Sequence, residues 1–68
     1  MEEKMNLIEG IQKEIERCLE VLAFYEKIPQ GTFGAIVIRK TILNAEKAMA
    51  SDDAVEMLRS YKELNDIE

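Results

Sequence analysis

Histidine is missing from this chain of 68 residues, cysteine and proline occur once each (Cys18 and Pro29), and glycine occurs three times. One thiol excludes an internal disulfide, and one thiol without histidine leaves no ordinary zinc ligand set. The lack of histidine also removes the usual base for a serine or cysteine nucleophile. No apolar run approaches the ~20 residues that span a bilayer, and the start "MEEKMN" is unlike the basic start of a signal peptide. A cytoplasmic chain with no membrane partner is therefore expected, and the unpaired thiol agrees with a reducing compartment. Basic residues are the minority charge, nine against fourteen acidic for a net −5. That balance argues against direct binding of DNA or RNA phosphates.

What is present is 47% apolar and 34% charged, the balance of a folded chain rather than a disordered one. A chain this short buries only about 60% of its unfolded surface, so core burial and chain entropy nearly cancel. With no disulfide or metal to help, well-packed helices and self-association are what remain.

Ile8, Ile11, Ile15, Cys18, Leu22 and Tyr25 recur at alternating steps of three and four, one side of a helix. Leu7, Leu19 and Val21 widen that stripe into an arc. Asn6 with Glu9 has the form of a capping box, although the helix could equally begin near Glu2. Pro29 disfavours helical geometry at Ile28 and stops the helix near Lys27. In the following "IPQG", Gly31 suits a left-handed turn and Thr32 an N-cap. The β-branched "FGAIVI" invites a strand, but Ala35, Ile38, Ile42, Ala45 and Met49 carry the helical period onward, and a lone strand would have no partner. On this second helix Ile36, Leu43 and Ala50 make another apolar stripe, about a third of a turn away, with Arg39 and Glu46 between. A rod apolar on two sides is expected to be the middle one. "SDD" (Ser51 to Asp53) then offers N-caps, and Ala54, Met57, Tyr61 and Leu64, with Val55 and Leu58 alongside, mark a third helix fraying at Asn65 to Glu68.

The expectation is one all-α domain over 1–68: a long antiparallel helical hairpin plus a shorter third helix, a three-helix bundle with helices at about 4–27, 32–50 and 52–66. Taken as about 22, 19 and 14 residues at 1.5 Å each, the helices run roughly 33, 28 and 21 Å. The third falls short of the "IPQG" corner, which would leave Leu22, Tyr25, Phe33, Ile36 and Val37 poorly covered. Together with Leu43 these form the candidate self-association interface, a symmetric dimer being the commonest closed solution.

Candidate chemistry is sparse. "GTFG" (Gly31 to Gly34) fits the bare GXXG pattern of KH domains, but without their sheet or basic character the fit carries no weight. The free N–H groups at that helix start, with Arg39 and Lys40 following, could hold an anion; the plainer reading is a turn at Gly31 and a close helix approach at Gly34. Cys18 reads as a small buried hydrophobe rather than a reactive thiol. Glu2, Glu9, Glu16 and Glu20 form an acidic strip on the first helix, either a solvated face or a mimic of nucleic-acid phosphates interrupted by Lys13 and Arg17. Tyr25, Tyr61 and Phe33 end or open apolar stripes and could close the core or line a partner pocket. No motif for nucleotide, metal or cofactor binding or for covalent catalysis is present.

Tyr25, the "GTFGA" corner (Gly31, Phe33, Gly34, Ala35), the "AEKAMASDD" break and the later "M…SYKEL" with Met57 and Tyr61 resemble short uncharacterised helical proteins of tailed phages and prophages. The resemblance covers about residues 25–68. It implies an accessory protein of unassigned activity and carries over no catalytic residue. The expected function is a non-enzymatic protein–protein interaction module, self-associating and engaging an unknown protein partner. The alternatives are an acidic inhibitor mimicking nucleic acid and a small anion-binding protein using Gly31 to Gly34.

Overall fold

A computed structural model describes residues 2–68, with side chains from Asn6 onward. The chain is all-α. Helix α1 (Glu2–Glu26) leads through a 3-10 turn (Pro29–Gly31) into α2 (Thr32–Ser51), and α3 (Ala54–Asn65) follows after a two-residue break. Each helix packs against both others, and no strand occurs among the described residues. Helix α2 runs antiparallel to α1 and α3. The result is a rod of 43 × 16 × 16 Å, with a Cα radius of gyration of 12.4 Å, against about 11 Å for a compact chain of this length.

The interior comes from the expected stripes. Ile11, Cys18 and Leu22 of α1 meet Ala35, Ile38, Ile42, Ala45 and Ala48 of α2 and Met57 and Leu64 of α3. The alanines let α2 lie close to both neighbours while β-branched and longer side chains fill the centre. One buried arc of α2 therefore serves both contacts. The second stripe is not used for this purpose: Ile36 and Leu43 are about half exposed, and Ala50 is exposed. Leu19, Val55 and Leu58 are likewise exposed although they sit next to buried stripes.

Local chemistry explains the breaks. Ile28 before the proline is extended, at φ −100°, ψ 127°, where the proline ring forces it. Gly31 is not left-handed: its φ is −86°. What it needs is the absence of a side chain, because a Cβ there would lie 2.1 Å from the Tyr25 carbonyl oxygen. Thr32 is the first residue of α2 rather than its cap; Gly31 holds the cap position and no side chain caps it. At the other break Asp52 takes the left-handed conformation, and Asp53 is the N-cap of α3, its carboxylate accepting from the N–H groups of Val55 and Glu56. Asn6 lies inside α1, so the helix starts at the earlier of its two candidate positions.

The C-terminal residues do not fray as expected. The Asp66 N–H closes the last turn of α3, and the Ile67 N–H donates to Leu64. The Arg17 guanidinium donates to the carbonyls of Leu64 and Ile67, both at 2.8 Å, and so supplies partners to the open end of α3. Ile67 packs on the core, and the Tyr25 hydroxyl donates to the Glu68 backbone carbonyl at 3.1 Å. Leu22 and Tyr25, both expected to be bare, are not: Leu22 is buried in the core and Tyr25, tied to the tail, is half-buried.

Gly34 brings the two halves of the hairpin together, since a Cβ there would sit 2.5 Å from the Tyr25 ring. Gly34→Ala should therefore lower unfolding free energy by about 1–3 kcal/mol in urea titration, despite alanine's better helix propensity; an unchanged or raised midpoint would contradict the close approach. Arg17→Ala should cost about 1–2 kcal/mol and speed amide exchange at residues 64–67 selectively.

Candidate interaction surface

The exposed large apolar side chains are Leu19 and Phe24 of α1, Phe33, Ile36, Val37 and Leu43 of α2, and Val55 and Leu58 of α3. For Phe24, Phe33 and Val37 the cause is the length of α3. Its 12 residues reach about 18 Å, against about 30 Å for the 20 residues of α2. Phe33 and Val37, in the first turns of α2, lie past the end of α3, and Phe33 is 77% exposed. Phe24 lies beyond the same end on α1. Beside it Val21, Tyr25, Ile28, Gln30, Gly31 and Glu68 line an open apolar hollow of about 430 Å³. Ile36 and Leu43 are bare for another reason. They point to the side of the hairpin opposite α3, where no further element lies among the described residues.

Of the residues expected to form an interface, Phe33, Ile36, Val37 and Leu43 are on the surface, while Leu22 and most of Tyr25 belong to the monomer's own packing. Leu19 and Phe24 were not among them. Leu19 is 49% exposed, on the flank of α1 that an arc read from sequence treats as interior. Its signal is its position one residue after Cys18, about 100° round the helix from it. The aromatic residues do not gather: Tyr61 lies against Gly10, Tyr25 against Gly34, and Phe33 is in the open.

The charged candidates are also distributed. Glu9, Glu16 and Glu20 are exposed along the outside of α1 with Lys13 among them, and the Glu2 side chain lies outside the described residues. Arg39, the cation offered for an anion site at the start of α2, is ion-paired with Glu26. That carboxylate neutralises the charge an anion would need. Among the described residues no group of three histidine, cysteine, aspartate or glutamate side chains is placed to hold a metal ion, and no helix is long and apolar enough to cross a membrane.

Cys18 is fully buried, and its thiol donates to the Leu64 carbonyl at 3.5 Å. Burial pushes the thiol above its ordinary value of about 9; Arg17 pulls it down and Glu14 adds to the rise. A neutral thiol is a poor nucleophile. No protein-family model matches the chain, and neither does a curated protein or a solved structure.

The raised thiol carries a stability consequence with a definite sign. The folded state holds its proton to higher pH than the unfolded state, so the contribution is complete below about pH 9 and is lost as pH rises above that. Wild type should accordingly lose more stability than Cys18→Ala between about pH 8 and pH 10 in parallel urea titrations. A thiol reagent should label Cys18 only when the chain unfolds; rapid labelling of native protein would overturn its burial.

Proposed function

We propose that the chain is a non-enzymatic protein–protein interaction module whose working surface is the outside of the α1/α2 hairpin. The observation that carries this reading is the exposure of Leu19 (49%), Ile36 (53%) and Leu43 (49%) on one side of a chain whose opposite side is closed by α3. Covering the open half of each such side chain contributes roughly 0.8–1.5 kcal/mol, a favourable share of what a specific contact needs. Single exposed leucines need no explanation, but several together on one face mark an interaction site. The resemblance of residues 25–68 to short phage and prophage proteins supports an accessory or regulatory role in that setting, and the reduced thiol suits the cytoplasm.

The acidic-mimic reading rests on exposed Glu9, Glu16 and Glu20. It predicts salt-sensitive capture of a basic protein, lost when the three are reversed in sign. The hairpin reading predicts that immobilised wild type retains added protein at moderate salt, whether a second copy of the chain or a protein of host lysate, and that Leu43→Glu, with the same melting temperature, does not. Identical retention by wild type and Leu43→Glu would contradict it.

A further inference from the structure

The outer face of the hairpin has a pattern of charge and shape that fits itself. The Arg39–Glu26 ion pair shows which flanks of α1 and α2 adjoin. Leu19 lies seven residues before Glu26 and Ala23 three, so both share its flank of α1. Ile36 and Leu43 lie three before and four after Arg39, on the matching flank of α2. These four side chains form an apolar band along the seam, interrupted by the Arg39–Glu26 pair and by exposed Glu46, seven residues after Arg39. Outward of the band, α1 presents Glu16 and Glu20 and α2 presents Lys40 and Lys47, all exposed. None of the ion pairs among the described residues engages these four charges. Read across, the outer edges run from mainly acidic on α1, where Lys13 intervenes, through the apolar band to basic on α2. Glu46 lies on the inner side of that basic edge.

We propose that this face is closed by a second copy of the chain, related by a twofold axis parallel to the helices and lying over the seam. The inference rests on the interface reading above and names its first occupant. Such an axis lays α2 of each copy on α1 of the other, so the basic edge meets the acidic edge twice. A twofold across the helices would instead lay α1 on α1 and set glutamates against glutamates, which charge repulsion disfavours. A parallel axis also keeps every residue at its own height. Tyr25 is level with Gly34; stepping along both helices puts Ala23 level with Ile36 and Leu19 level with Lys40. Across the interface Ile36 then meets the small Ala23 of the second copy. Leu43 lies about 4.5 Å along the axis from the second copy's Leu19, within side-chain reach. Lys40 falls one residue from the second copy's Glu20. An isologous contact of this kind closes at two and leaves no open end.

The test is sedimentation velocity on wild type, Lys40→Glu, Glu20→Lys and the double variant carrying both, each checked for an unchanged helical spectrum and melting profile when dilute. Wild type should be a dimer at about 100 μM, and Lys40→Glu should weaken association about tenfold or more, since the lost attraction becomes repulsion at two symmetric places. The double variant should restore the dimer, as should mixing the two single variants. A wild type that stays monomeric overturns the proposal while leaving the Leu43→Glu capture experiment to judge the interface reading separately. A dimer that ignores Lys40→Glu, or one that the double variant does not restore, overturns the proposed axis.

Discussion

Helix α3 is too short and too solitary for the hairpin it packs on. A two-helix hairpin has two long open sides. Among the described residues the 12 of α3 cover one of them, and these reach little more than half its length. Everything distinctive about the surface follows from that shortage. At the corner end, where α3 gives out, the chain makes good part of the deficit with irregular backbone, laying Ile67 on the core and tying Leu64, Ile67 and Glu68 to Arg17 and Tyr25. On the far side of the hairpin Leu19, Ile36 and Leu43 are about half exposed, with no further element over them among the described residues.

The corner and the surface are linked through Tyr25. Its carbonyl sits where a Gly31 side chain would be, its ring where a Gly34 side chain would be, and its hydroxyl reaches Glu68. One residue thus fixes the height of α1 against α2 and anchors the tail. That height decides which outward residues are level, and so whether the acidic edge of α1 and the basic edge of α2 match across a copy. The two glycines are packing residues, which accounts for the GXXG spacing without any nucleic-acid role. Helix α2 meanwhile carries two separate apolar patterns, an alanine-rich arc turned inward and a sparser, bulkier set turned out.

The period of Ile11, Cys18 and Leu22, of Ile38, Ile42 and Ala45, and of Met57 and Leu64 made the helices and the core legible from sequence, because side chains at three and four spacing have nowhere else to go. Pro29 and Asp53 marked their boundaries for equally local reasons. Legibility ended where a residue's fate depends on another helix. Leu19 looks interior by its neighbours on α1 and is exposed because no helix stands opposite it. Tyr25 looks bare from helix lengths and is half-buried and tied to Glu68 of a tail with no periodic pattern. Gly31 looks like a left-handed turn residue, yet its constraint is a carbonyl six residues earlier. The second stripe of α2 was legible as apolar. That it faces solvent rather than a neighbour required knowing that Ala35, Ala45 and Ala48 already serve both contacts.

The central claim is that the bare side of the hairpin is one half of a two-copy interface. It is tested most directly by isotope-filtered NOE spectroscopy on a sample in which half the chains are methyl-labelled. Cross-peaks between chains linking Leu43 to Leu19 and Ile36 to Ala23 are the predicted result. Cross-peaks linking Leu43 to its own counterpart, or none between chains, would contradict it.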